Sequence, residues 1–280
     1  MSPGLLTSKR LPAFPQREQD PPSSRVPHAS HHAYDLFPCE MLVLDMVWYC
    51  GVFIFINDDM IIPGMDFEKL RRVDPGYRGG PDRLRFSRTE ALHIFAAVAV
   101  LSIAFAILLI RGGSRLSPDG VVNFLMLLLL AGFLVSCSFL THELGHKYVA
   151  QYYGAWSEFR AYPFGLVMAV VFSYMGFLFA APGAVYIQGD IDKEQYGKIS
   201  MAGPMMNFII GAFSIVAWLM TTGLVSNILF QLAWLNAFLG LFNMIPVPPL
   251  DGSKIISWKW QVFAVMAAVG AAQLAFLYLY

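Results

Sequence analysis

Two histidines four residues apart on a helix lie on one face and can hold a single zinc ion, and a glutamate beside them can take a proton from zinc-activated water. His142-Glu143-Leu144-Gly145-His146 has this spacing, and it closes an uncharged apolar run, residues 121–140. A catalytic zinc site usually takes three protein ligands and keeps one position for water, so a third ligand must come from elsewhere. Residues 199–250 carry no charge, and the next charged side chain is Asp251. A carboxylate at the end of so long an apolar stretch is costly unless it pairs or binds a metal. Pro246, Pro248 and Pro249 remove backbone donors just before it and force an extended segment that can aim Asp251 at the histidines. The plainer alternatives are histidines on a helix surface, and Asp251 as a cap for a helix beginning at Gly252-Ser253. The first leaves polar groups against an apolar run, and the second does not exclude metal binding.

The elements that must carry these residues are membrane helices. The chain has 280 residues, 57% of them hydrophobic and 14% charged, against about 25% charged in a soluble domain. That composition points to a polytopic membrane protein. The formal net charge is zero, and nothing suggests a nucleic-acid partner. Cys39, Cys50 and Cys137 form no paired spacing, so no disulfide framework is expected. Residues 1–40 are proline-rich and read as a disordered tail, with no signal peptide. In the 41–84 region, residues 41–56 are apolar but interrupted by Asp45 and short for a span; they read as a β-rich or interfacial segment leading into a charged linker. The membrane domain covers residues 85–280. Its apolar runs are 91–110, 121–140, 164–189, two more within 199–250 divided at Gly223 and Ser226-Asn227, and 260–280.

The expected fold class is all-α and polytopic, with about five full transmembrane helices and one re-entrant apolar segment, residues 164–189. If 164–189 enters and leaves on one side, then Arg83, Arg85, Arg88, Lys147, Arg160, Lys193, Lys198, Lys254 and Lys259 collect on that side, with only Arg111 and Arg115 opposite. The positive-inside rule makes that side cytoplasmic. The zinc site makes the same demand: Asp251 shares a membrane face with His142 and His146 only if the chain crosses twice between them.

The His142-Glu-Leu-Gly-His146 motif, Gly203-Pro204-Met-Met-Asn207, and Asn243-x-x-Pro-x-Pro-Pro-Leu-Asp251-Gly252 together resemble the site-2 family of intramembrane metalloproteases. The resemblance covers about residues 85–280 and is closest to compact, archaeal-type prokaryotic members without PDZ or CBS domains. It implies His142, His146 and Asp251 as ligands of one zinc ion and Glu143 as the catalytic base. The substrate is then a transmembrane segment of another protein, cut at a site toward the cytoplasmic side of the cell membrane. An oxyanion partner is also needed. Asn243, just before the proline segment, is the first candidate, and Asn207, on the helix opened by Gly203-Pro204, is the second. The 164–189 insertion and the region before residue 85 depart from the shortest family core.

The rival reading is a zinc-binding scaffold or transporter without protease activity; no internal repeat of the kind transporters use is visible. Among the remaining residues, His93 reads as a satisfied core histidine. His28, His31, His32, Cys39 and Cys50 match no zinc-finger spacing. Trp48, Trp258 and Trp260 suit a membrane interface. Phe172, Tyr174, Phe177 and Phe179 suit packing, lipid contact or a substrate gate.

Overall fold

The computed structural model describes residues 84–180 and 182–280, together with the backbone of residues 53–54. The 1–40 tail, most of the 41–84 region, His28, His31, His32, Cys39, Cys50 and Trp48 lie outside the described residues. The two described N-terminal residues form a short strand, β1, Phe53–Ile54.

Ser87 starts the first helix by accepting a hydrogen bond from the Glu90 amide, and α1 runs Arg88–Arg111. Asp119 starts α2, Gly120–Val135, by accepting from the Val121 and Val122 amides. Such caps satisfy donors that a helix start leaves unpaired. A π-helical turn, Ser136–Leu140, then joins α2 to α3, Thr141–Tyr152. One helical rod of 33 residues thus carries both the apolar run and the histidine motif.

After α3 come β2 (Trp156–Ala161), α4 (Pro163–Met175), β3 (Phe179–Ala180) and β4 (Gly183–Gln188). β1 pairs in parallel with β3, and β2 pairs antiparallel with β4. The register sets Trp156 against Gln188 and Ala161 against Gly183, so the chain leaves the sheet and returns beside its point of departure. Between those points α4 runs along α1, and its last turn brings Tyr174 to the Arg111 guanidinium, 5.8 Å from the ring centroid. Gly176 then reverses the chain with a φ of 99°. The 164–189 segment is therefore a helix-and-strand excursion that comes back to its own origin. The other edge of β2 is closed by side chains: Phe159 N–H donates to Glu90 (2.9 Å), Ala161 N–H donates to His93 Nδ1 (3.3 Å), and Ser157 O accepts from Lys147 (2.8 Å) and Gln151 (3.3 Å). His93 thus serves the backbone of a strand.

A capping box between Asp192 and Gln195 opens α5, Lys193–Leu219. α6 (Gly223–Asn243), a turning segment over residues 244–250, α7 (Asp251–Trp258) and α8 (Trp260–Leu279) complete the chain. Among the described residues, five helical segments are long and apolar enough to cross a membrane: Arg88–Arg111, Gly120–Tyr152, Lys193–Leu219, Gly223–Asn243 and Trp260–Leu279. The protein is a mostly helical, multi-pass membrane protein, as expected, with two small two-stranded sheets and the short α7 added. Leu101 and Phe105 of α1, Leu127 and Leu134 of α2, and Leu235 and Leu239 of α6 share its main buried cluster.

Candidate metal centre

α5 is the wall against which the site is built. Gly145 lets α3 lie so close to it that an added Cβ would sit 2.9 Å from the Ala202 carbonyl oxygen. Gly197 receives the Trp258 ring, which fixes α7 on the same helix. At the start of α7, a Cβ on Gly252 would meet the Met244 carbonyl at 2.2 Å, so only glycine lets the chain fold back tightly beside Asp251. These contacts bring the histidines of α3 and the carboxylate of α7 to one place.

His142 Nε2 and His146 Nε2 lie 3.1 Å apart, and Asp251 Oδ2 lies 3.4 Å from the first and 3.1 Å from the second. All three residues are buried. The other ring nitrogens are committed elsewhere: His142 Nδ1 to Asn207 Oδ1 at 2.6 Å, and His146 Nδ1 to the Ile199 carbonyl at 2.8 Å. Both acceptors are oxygens, so each Nδ1 carries the hydrogen and each Nε2 presents a lone pair. Two such lone pairs and a carboxylate oxygen converge, and Asp251 Oδ2 has no hydrogen-bond donor among the described residues. Mutually repelling donors held this close fit a cation, and two imidazoles with one carboxylate suit zinc. Gly203 keeps the space in front of them open: a Cβ there would fall 2.3 Å from His146 Nε2 and 2.7 Å from His142 Nε2.

Glu143 is buried on the same helix and lines a small cavity with Ile94, Phe139, Leu140, Phe159 and Val185. Asn243 is buried at the end of α6; its Nδ2 donates to the Leu239 carbonyl at 3.0 Å, and its Oδ1 has no partner among the described residues. Asn207, the second oxyanion candidate, is engaged differently. Its Oδ1 holds His142, and its Nδ2 donates to the Ser138 carbonyl (3.1 Å) and to Asn236 Oδ1 (2.9 Å). The oxygen of this amide thus holds a histidine, and its N–H groups are taken by Ser138 and Asn236.

Sequence reasoning missed two groups beside the site. Asn236 and Ser138 complete the polar chain behind Asn207; the available signal was an asparagine in the middle of the apolar helix α6. Glu90 and Lys147 form a fully buried ion pair at 2.8 Å, joining α1 to α3. Lys147 is therefore a buried helix charge rather than an exposed loop charge that bears on sidedness.

The profile of Peptidase family M50 matches residues 218–267, a stretch that includes Asn243 and Asp251. A protein of Methanocaldococcus jannaschii named as a zinc metalloprotease is 35% identical over 190 residues, 65% of this chain and 91% of that protein. A second zinc metalloprotease of the same organism is 35% identical over 128 residues, covering 44% of this chain and 32% of the relative. A Mycobacterium tuberculosis protein, also named as a zinc metalloprotease, is 31% identical over 144 residues, 49% of this chain and 33% of its own length. No solved structure gives a significant match. The likeness to the first of these relatives, sustained along nearly the whole of that protein, agrees with the profile match: the chain belongs to peptidase family M50, the site-2 protease family of membrane zinc metalloproteases.

Proposed function

We propose that this zinc metalloprotease is an endopeptidase that cuts transmembrane segments of other proteins within or near the bilayer, with His142, His146 and Asp251 holding the zinc and Glu143 as general base. The observation that carries the reading is the convergence of the two Nε2 lone pairs and Asp251 Oδ2, within 3.4 Å of one another, on helices that belong to or adjoin candidate membrane spans. A bound zinc would supply Lewis acidity, giving water a nucleophile's character near neutral pH and polarising a carbonyl. The chain's own groups do the rest. The Glu143 carboxylate takes the proton of the attacking water and returns it to the departing amide nitrogen. Asn243 is the proposed oxyanion donor, since only one hydrogen of its amide is used on Leu239. A substrate helix must unwind locally before its carbonyls become accessible.

The site is assigned to the cytoplasmic side of the cell membrane, because Arg85, Arg88, Lys193, Lys198, Lys254 and Lys259 flank the helix ends on the side of Asp251, whereas Arg111 and Arg115 flank the opposite ends. The test uses detergent-purified protein, measured for bound zinc and assayed on a transmembrane peptide as the native form and as Glu143→Gln. The variant should keep its zinc and lose about 10²- to 10⁴-fold in cleavage rate. A variant as active as the native protein would overturn the mechanism. Zinc binding by the native protein without cleavage of any peptide in a broad panel would favour the scaffold reading.

A further inference from the structure

A metal-ligand histidine works only if the correct ring nitrogen is bare. His146 is set by a backbone carbonyl, which can only accept. His142 instead depends on a side-chain amide, Asn207, which could present either its oxygen or its nitrogen. Something must decide which end faces the ring.

Two contacts decide it: the Ser138 carbonyl, which takes one hydrogen of Asn207 Nδ2 directly, and Asn236, one step further from the metal. Asn236 Nδ2 donates to the Leu232 carbonyl and to Ser138 Oγ, both at 2.9 Å. A backbone carbonyl accepts and cannot donate, so the nitrogen of Asn236 is fixed toward Leu232 and its oxygen toward Asn207. Asn207 Nδ2 must then face that oxygen, which it does at 2.9 Å, while also donating to the Ser138 carbonyl at 3.1 Å. Asn207 Oδ1 is left for His142, whose Nδ1 must carry the hydrogen. All members of this chain are buried, and Asn207 and Asn236 are 0% exposed. Water therefore does not supply a substitute partner.

We propose that Asn236 is a positioning residue for the zinc site: acting through Asn207 and alongside the Ser138 carbonyl, it secures the Nδ1–H tautomer of His142 and so keeps Nε2 available to the metal. The proposal rests on the assignment of His142 as a ligand, and it extends that assignment to a residue on α6 that touches neither metal nor substrate. The bland alternative is that Asn236 only glues helices together, as buried asparagines in membrane proteins often do.

The two are separated by ¹⁵N-histidine spectra of the full chain in detergent after zinc is removed by chelation, read with zinc affinity from chelator competition. In the native protein His142 and His146 should both show the Nδ1–H form. In Asn236→Leu, Asn207 keeps only the Ser138 carbonyl to orient it. With one of its two orienting contacts gone, His142 should then show a measurable fraction of the other tautomer while His146, held by Ile199, stays unchanged as an internal control. Zinc affinity should fall about tenfold, the low end of the usual effect of losing an outer partner. Asn236→Asp preserves an oxygen for Asn207 and, protonated in its apolar setting, a donor for Leu232. It should hold the native tautomer and stay within a few-fold of native affinity. Native spectra and affinity in Asn236→Leu would overturn the proposal, and so would parallel disturbance of both histidines in both variants, which marks a packing role. The readout does not require proteolysis. A native protein with His142 held as Nδ1–H that binds zinc but cuts no peptide leaves the relay standing and sinks the protease reading.

Discussion

Gly203 is the residue on which the metal site makes its tightest demand. Any side chain there enters the space between the two Nε2 atoms, and the nearest contact of a Cβ, 2.3 Å, cannot be relieved by rotating a flexible neighbour because both rings are held from behind. Gly203→Ala should therefore give a folded protein with little or no bound zinc by elemental analysis and no cleavage. Stoichiometric zinc in that variant would show that the ion sits elsewhere. Much of the site was legible at this scale. The spacing of His142 and His146 is a property of one helix, and Asp251 stood out because it ends a stretch without any charge. The task of Gly203 was not legible, since a glycine beside a proline reads as a kink until the rings in front of it are placed. The sequence singles out Asn207 by its position but does not show which of its ends meets which partner. Which way an amide points is decided by partners in the π-helical turn and on α6, far away in sequence.

Between elements, a buried tie outside the metal site is the Glu90–Lys147 pair. Lys147 Nζ lies 2.8 Å from one carboxylate oxygen and 2.9 Å from the other, and Glu90 also receives the Phe159 amide. The pair thus locks the start of α1 to the helix bearing the histidines and to the edge of β2. Removing one partner leaves a buried charge, so Glu90→Leu or Lys147→Met alone should cost about 3–5 kcal/mol of stability. The double variant Glu90→Leu with Lys147→Met should recover most of it, as read by thermal unfolding in detergent. A double variant less stable than either single one would contradict this account. The pair was hidden in the sequence because its members lie 57 residues apart, and because a lysine after a helical motif looks like a loop charge. The sheet was hidden for a related reason. Trp156–Ala161 contains Glu158 and Arg160 and alternates only weakly, and its partner β4 lies beyond α4. The long helices were readable because their apolar length is written locally; the strands exist only by pairing.

For the molecule as a whole, the return of the chain from Ala161 to Gly183 fixes the sidedness of everything after it. Accessibility tags in the 112–119 loop and the 189–192 loop should report opposite membrane faces; the same face for both would sink the arrangement. The π-helical turn at Ser136–Leu140 has a consequence of another kind. Such a turn amounts to one extra residue in an α-helix, and each residue advances the helix by about 100°. The rod Gly120–Tyr152 therefore changes phase partway along. Its first part aligns its stripe with the apolar neighbours of α1 and α6, and its second part aims His142 and His146 at α5. A lineage that lost one residue from this turn would keep a hydrophobic segment long enough to insert, and would pass any test of membrane integration, yet its histidines would face another sector of the helix. The capacity to reside in the bilayer and the capacity to hold the metal are thus written in two reading phases of one continuous helix, separable by a single codon.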